Sequence, residues 1–158
     1  MRHRPDEISR RSVLAGAVGI LVLPLAADGA LATPETMVEA MDEVLGKGAK
    51  IKPGRVKIEL PELAENGNSV PLNLTVDSPM TAADHVKAVY VFSEKNPVSN
   101  VVRFHLGPRS GRASFATRAR IADTGTVTAI AQLSDGSFWS DSVQVVVTLS
   151  ACLEDGLI

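Results

Sequence analysis

One cysteine, Cys152, stands in 158 residues, so no disulfide can close within the chain. An unpaired cysteine in an exported protein points either to pairing with another molecule or to a reactive thiol. The competing reading is a small apolar side chain that happens to carry sulfur. Aromatic residues make up only 4% of the chain, which removes the stacking platforms that single-strand nucleic-acid binders use. The formal net charge of −2 argues against an electrostatic nucleic-acid surface. Histidine is scarce as well. His85 and His105 are the two beyond the N-terminal segment, and no G-x-S-x-G pattern accompanies them, so a Ser-His-Asp hydrolase has little to build on. No C-x-x-C or H-x-x-x-H spacing offers a local metal site, and no glycine-rich phosphate loop is present. Nothing in the sequence calls for a resident cofactor or for catalysis by the chain itself.

What is present begins with an export segment. Arg2 and Arg4 precede Ser9-Arg10-Arg11-Ser12-Val13-Leu14, a twin-arginine pattern. The apolar run over residues 13–27 is 15 residues long and contains Pro24, short of the roughly 20 residues that a spanning helix needs. Ala30-Leu31-Ala32 reads as a cleavage site. Residues 1–32 are therefore expected to be a twin-arginine signal peptide, leaving a periplasmic chain from Thr33 with a net charge of −3 and no stable membrane insertion.

Residues 33–50 carry one amphipathic helix. Thr33 can cap it, Pro34 suits the first turn, and Glu35 complements the positive end of the dipole. Met37, Met41, Val44 and Leu45 share one face, and Gly46 and Gly48 end it. So short a helix is marginal alone and must dock on its own domain or on a partner. From Arg55 the apolar period drops to two. Strands are expected at 56–60, 70–76, 86–92, 101–106, 112–121, 126–133 and 142–149, with a turn at Asn66-Gly67-Asn68 and Phe138-Trp139-Ser140 beginning the return before the last strand. Regularly spaced short strands predict an all-β fold, an antiparallel β-sandwich over residues 51–149 with a short N-terminal helix and a cysteine-bearing tail at 150–158. The near-continuous apolarity of 126–133 predicts a central strand, with Val127, Ala129, Ile130 and Ala131 well inside. The polar connections at 78–85 and 93–97 are where a partner could be read, although solvated loops fit equally. Arg103, Arg109, Arg112, Arg118 and Arg120 form a loose cluster that is either a solvated sheet face or a surface for an anionic group.

Four segments resemble the SoxY family. They are Ile58-Glu59-Leu60-Pro61-Glu62-Leu63-Ala64-Glu65-Asn66-Gly67-Asn68, Val76-Asp77-Ser78-Pro79-Met80, Glu94-Lys95-Asn96-Pro97 and Leu133-Ser134-Asp135-Gly136-Ser137-Phe138-Trp139. The likeness runs from the twin-arginine signal to Cys152. It implies an immunoglobulin-like sandwich and a heterodimer with a SoxZ-type sandwich subunit, exported together. It also implies a sulfur carrier of periplasmic thiosulfate oxidation, with Cys152 as the covalent attachment point. In that scheme a haem enzyme joins thiosulfate to the thiol, a hydrolase removes the outer sulfone as sulfate, and the carrier meets both only transiently. The family's usual end is Gly-Gly-Cys-Gly-Gly. Here Ser150 and Ala151 precede Cys152, and Leu153, Glu154, Asp155, Gly156, Leu157 and Ile158 follow it. Glycines give an arm its backbone freedom, while adjacent carboxylates disfavour the thiolate and repel anionic thiosulfate. The second reading is a binding or structural module on the same sandwich, in which the thiol is not the working group.

Overall fold

The computed structural model describes residues 33–150. Residues 1–32, where a signal peptide is expected, and residues 151–158, including Cys152, lie outside that range. The elements, in order, are α1 (Pro34–Leu45), β1 (Ile51–Pro53), β2 (Val56–Glu59), β3 (Leu63–Ala64), β4 (Val70–Val76), β5 (Val86–Ser93), β6 (Asn100–His105), β7 (Ser114–Ala119), β8 (Gly125–Leu133) and β9 (Phe138–Val147). Short 3-10 turns at Gly67–Ser69 and Pro108–Ser110 complete them.

Two sheets face each other. The larger runs β1-β9-β8-β5-β6, with β3 also beside β9; the smaller runs β2-β4-β7. Strict alternation in β4 puts Val70, Leu72, Leu74 and Val76 inward and Pro71, Asn73 and Thr75 outward. β5 sends Val89 and Val91 into the same core, where Val127, Ala129 and Ala131 of β8 and Val145 of β9 meet them. Phe104 of β6 and Phe115 of β7 close one side of the sandwich.

The helix docks on its own domain. Met37, Ala40, Met41, Val44 and Leu45 cover Ala88, Tyr90, Phe92 and Ile130, which project from the outer face of the larger sheet. This explains the uninterrupted apolarity of β8: its inner residues meet the second sheet, and Ile130 meets the helix. Val127, Ala129, Ile130 and Ala131 are all fully buried, as expected. Thr33 and Thr36 form a reciprocal capping box at the helix start, and the Gly46 N–H closes its end on the Asp42 carbonyl.

Three local details differ from or add to the expectations. The turn at Asn66-Gly67-Asn68 is present, as a 3-10 turn over Gly67–Ser69 capped by Asn66. β2 pairs antiparallel with β4, but the connection between them detours so that β3 runs parallel to β9, Leu63 beside Val146. β1 also pairs parallel with β9, Ile51 beside Phe138. Thus the larger sheet, otherwise antiparallel, gains two short parallel additions along one edge. The strand expected over 112–121 is shorter, because the Ala113 carbonyl already accepts from Val76 N–H and Ile121 N–H turns to the Gly67 carbonyl. Finally, Phe138 and the last strand are one continuous element, β9.

Candidate functional site

The residues that lead to Cys152 leave the sandwich from a tightly tied root. Gly67 donates its N–H to the Leu149 carbonyl at 3.0 Å, and Thr148 donates its N–H to the Ala64 carbonyl at 3.0 Å and its hydroxyl to the Glu65 carbonyl at 3.1 Å. The Thr124 hydroxyl bridges Val147, accepting its N–H at 2.9 Å and donating to its carbonyl at 3.3 Å. Ser150 Oγ donates to Asp123 Oδ1 at 3.2 Å. A local reason underlies each tie. Asn66 Oδ1 caps the 3-10 turn through Asn68 N–H, and that turn exposes the Gly67 N–H toward the departing chain.

The Glu94-Lys95-Asn96-Pro97 turn lies at the same end and is a structural brace. Asn96 is buried; its Oδ1 accepts from the Ser93 hydroxyl at 2.8 Å and from Ala122 N–H at 2.9 Å, while Nδ2 donates to the Arg120 carbonyl at 2.8 Å. Glu94 Oε2 accepts Thr126 N–H at 3.2 Å. That bond, then the attraction of Lys95, holds the Glu94 carboxyl below its ordinary range. Gly125 lies under these side chains; a Cβ there would stand 2.9 Å from Lys95 Cγ. The loop at 93–97 thus holds the 120–124 segment that anchors Ser150.

The 78–85 connection is likewise tied down. Met80 is buried, the His85 imidazole meets the Thr81 carbonyl at 3.1 Å, and Ser134 exchanges backbone and hydroxyl bonds with Ala83 and His85. At this opposite end Trp139 packs beneath Lys52 and Arg55, whose cationic groups lie 5.5 and 5.8 Å from its ring centroid. Trp139 Nε1 donates to Ser137 Oγ, which in turn donates to Asp135. These hydroxyl and backbone bonds from Ser137 depress the Asp135 carboxyl.

The five arginines do not assemble. Arg118 binds Ser69 on the outside of the smaller sheet. Arg103 lies over Tyr90 on the outside of the larger one and, with the Asn100 amide turned to suit its neighbours, meets that oxygen at 3.1 Å. Arg109 and Arg112 are exposed near the β6–β7 connection. Arg120 lines a cavity of about 270 Å³ at the root end with Asn96, Val98, Asn100 and Val101. No pattern in the sequence separates Arg120 from the others, because its setting depends on which end of the sandwich the chain leaves. Among the described residues no three His, Cys, Asp or Glu side chains converge, and no helix is long and apolar enough to cross a membrane.

Comparison with known proteins agrees with this architecture. The solved structure of the sulfur carrier protein SoxY from Chlorobium limicola f thiosulfatophilum superposes with a TM-score of 0.60 and 24% identity, covering 73% of this chain and 99% of that one. A superoxide reductase (neelaredoxin) variant from Ignicoccus hospitalis superposes with a TM-score of 0.53 at 20% identity, over 74% of this chain and 94% of that one. The superoxide reductase from Nanoarchaeum equitans gives 0.51 at 16% identity, over 61% and 100%. At such identities the likeness is one of fold. No curated protein matches the sequence significantly. The family model described as sulfur oxidation protein SoxY matches residues 41–152, well over half of the sequence, and the chain therefore belongs to the SoxY family.

Proposed function

We propose that this protein is a periplasmic sulfur carrier that works through the thiol of Cys152 and catalyses no step itself. The observation that carries the reading is the span of the family match, which runs from α1 through the sandwich and includes Cys152. The root supports it. Cys152 follows Ser150 by two residues, a separation of at most about 7 Å in extended chain, so the thiol is presented from a braced end of the domain. In the first step the Cys152 thiol and thiosulfate lose one proton and two electrons to a haem enzyme and become an S–S-linked thiosulfonate. Water then cleaves the terminal sulfonate as sulfate, releasing two protons and leaving a cysteine persulfide anion. The sandwich serves as the handle that partner enzymes grip. A SoxZ-type sandwich subunit is the proposed partner in a heterodimer, and export by the twin-arginine route, which carries folded cargo, suits a pair that crosses together. The domain division into signal 1–32, helix 33–50, sandwich 51–149 and tail 150–158 belongs to the same proposal.

An intact-mass spectrum of protein purified from thiosulfate-fed cells tests the carrier reading. A thiosulfate-dependent adduct that disappears in Cys152→Ser is expected. Unmodified wild type under those conditions favours the non-carrier module, a reading to which Glu154 and Asp155 beside the thiol lend support.

A further inference from the structure

We propose that residues 46–58 form a basic docking strip for a carboxylate-rich surface of a partner protein, met transiently at the end of the sandwich opposite the root. The strip holds Lys47, Lys50, Lys52, Arg55 and Lys57 and no acid, in a chain whose formal net charge is −2. It directly follows α1, which carries Glu35, Glu39, Asp42 and Glu43 and no base. The backbone fixes where the cations stand. β1 sets Lys52 beside Trp139 at the start of β9, and β2 lies on the edge of the smaller sheet, so the strip crosses from one sheet to the other. Gly54 and Arg55 make the crossing with φ of +105° and +56°. Arg55 is thus a strained non-glycine residue, held by its Nε bond to the Asp77 carbonyl at 2.9 Å and its ion pair with Asp84 at 3.4 Å. Lys57 pairs with Glu59. Lys47, Lys50 and Lys52 are exposed and have no ion pair among the described residues. Protection of a short sheet edge accounts for Lys52 and Pro53 in β1, but not for Lys47 and Lys50, which precede the strand.

The chemistry of the strip selects the occupant. Lysine is a strongly hydrated point charge and is depleted from the cores of permanent interfaces, so a lysine strip fits a weak, salt-sensitive encounter. A membrane-surface site sets aromatic or leucine side chains beside its cations. Here the exposed apolar side chains are Ile51 and Pro53, and Trp139 is half-buried with its N–H tied to Ser137. The α1 acids that adjoin the strip repel a long polyanion such as a nucleic acid, whereas a bounded carboxylate patch meets the cations alone. β9 is 10 residues long, so about 30 Å separates the strip from the root, and a partner seated here leaves the root end clear. The inference goes beyond the carrier reading and stands with or without it.

The chain's single tryptophan, Trp139, lies beneath Lys52 and Arg55 and reports on occupancy. The test titrates the full mature chain against octaglutamate at about 0.05 M NaCl, reading the anisotropy of a rhodamine-labelled peptide for affinity and Trp139 emission for location. Saturable binding that changes Trp139 emission is expected. The variant Lys47→Gln/Lys50→Gln/Lys52→Gln should weaken it about tenfold, three charges each acting at the strength of an exposed ion pair. Raising NaCl to about 0.3 M should weaken wild type similarly. Replacing the same three lysines by arginine should keep the affinity. The variant Lys87→Gln/Arg109→Gln/Arg112→Gln removes as much charge from exposed positions elsewhere and should change affinity less than about twofold. No binding, equal losses in the two glutamine variants, or binding that leaves Trp139 emission unchanged overturns the docking strip. Tighter binding to phosphatidylcholine vesicles with about 30% phosphatidylglycerol than to octaglutamate assigns the strip to a membrane surface and overturns the protein partner. None of these results touches the thiosulfate adduct, whose absence would instead overturn the carrier reading.

Discussion

Gly67 and Leu149 share a backbone hydrogen bond of 3.0 Å that ties the 3-10 turn to the chain just before the tail departs. The bond joins a loop from the start of the domain to its last described residues, which are 82 positions apart in the chain. A terminal strand held on both edges, by β8 on one side and β1 and β3 on the other, gives the tail a fixed point of origin.

Asn96 is the test of that origin. Asn96→Ala removes three hydrogen bonds and leaves Ala122 N–H and the Arg120 carbonyl without that partner. We expect a loss of about 2–4 kcal/mol in urea denaturation, because stranded buried polar groups cost more than the bond itself. Faster amide exchange should appear at Ala122 first. Unchanged stability would show that the brace is redundant.

The helix docking is tested by Phe92, which is fully buried beneath α1. Phe92→Ala should cost about 3–5 kcal/mol. Disrupting the capping box with Thr33→Ala should cost only about 1 kcal/mol and act through α1 alone. Equal effects of the two would mean that the helix does not protect the outer face.

Two glycines give a contrast. Gly54 has φ of +105°, donates its N–H to the Ser140 carbonyl at 3.1 Å and lies against the Trp139 ring. Gly54→Ala should therefore cost about 1–3 kcal/mol through backbone strain. Gly107 is extended, with open space around it, so Gly107→Ala should shift the melting temperature little in either direction. A neutral Gly54→Ala would show that β1 and β2 can be joined without the positive φ.

Glu94 predicts a pH dependence. Its folded pKa lies below the ordinary 4.5, chiefly because Thr126 N–H binds the ionised carboxylate. A depressed carboxyl contributes stability that is present above the ordinary value and is lost as pH falls through the folded one. The stability difference between wild type and Glu94→Gln should thus favour wild type near neutrality and shrink below about 4.5. A difference independent of pH would assign Glu94 a packing role only.

Much of this architecture was legible from residue order. Strict alternation in 70–76 gave β4 its bounds, because a half-buried strand must separate its two faces. Thr33, Pro34 and the period of Met37, Met41, Val44 and Leu45 gave α1 for the same kind of local reason. Cys152 stands out as the chain's single cysteine, but it lies outside the described residues. What local order could not supply was contact between distant segments. β1 and β3 are three and two residues long, too short to show a period, and exist because β9 lies alongside them. Ile130 was recognisably buried, but only packing decided that α1, rather than the second sheet, covers it. The five arginines likewise looked like one cluster in sequence. The pleat and the β6–β7 crossing put Arg103 and Arg118 outside different sheets and left Arg120 beside the root of the tail, because a side chain's neighbours follow from strand pairing and face, not from distance along the chain.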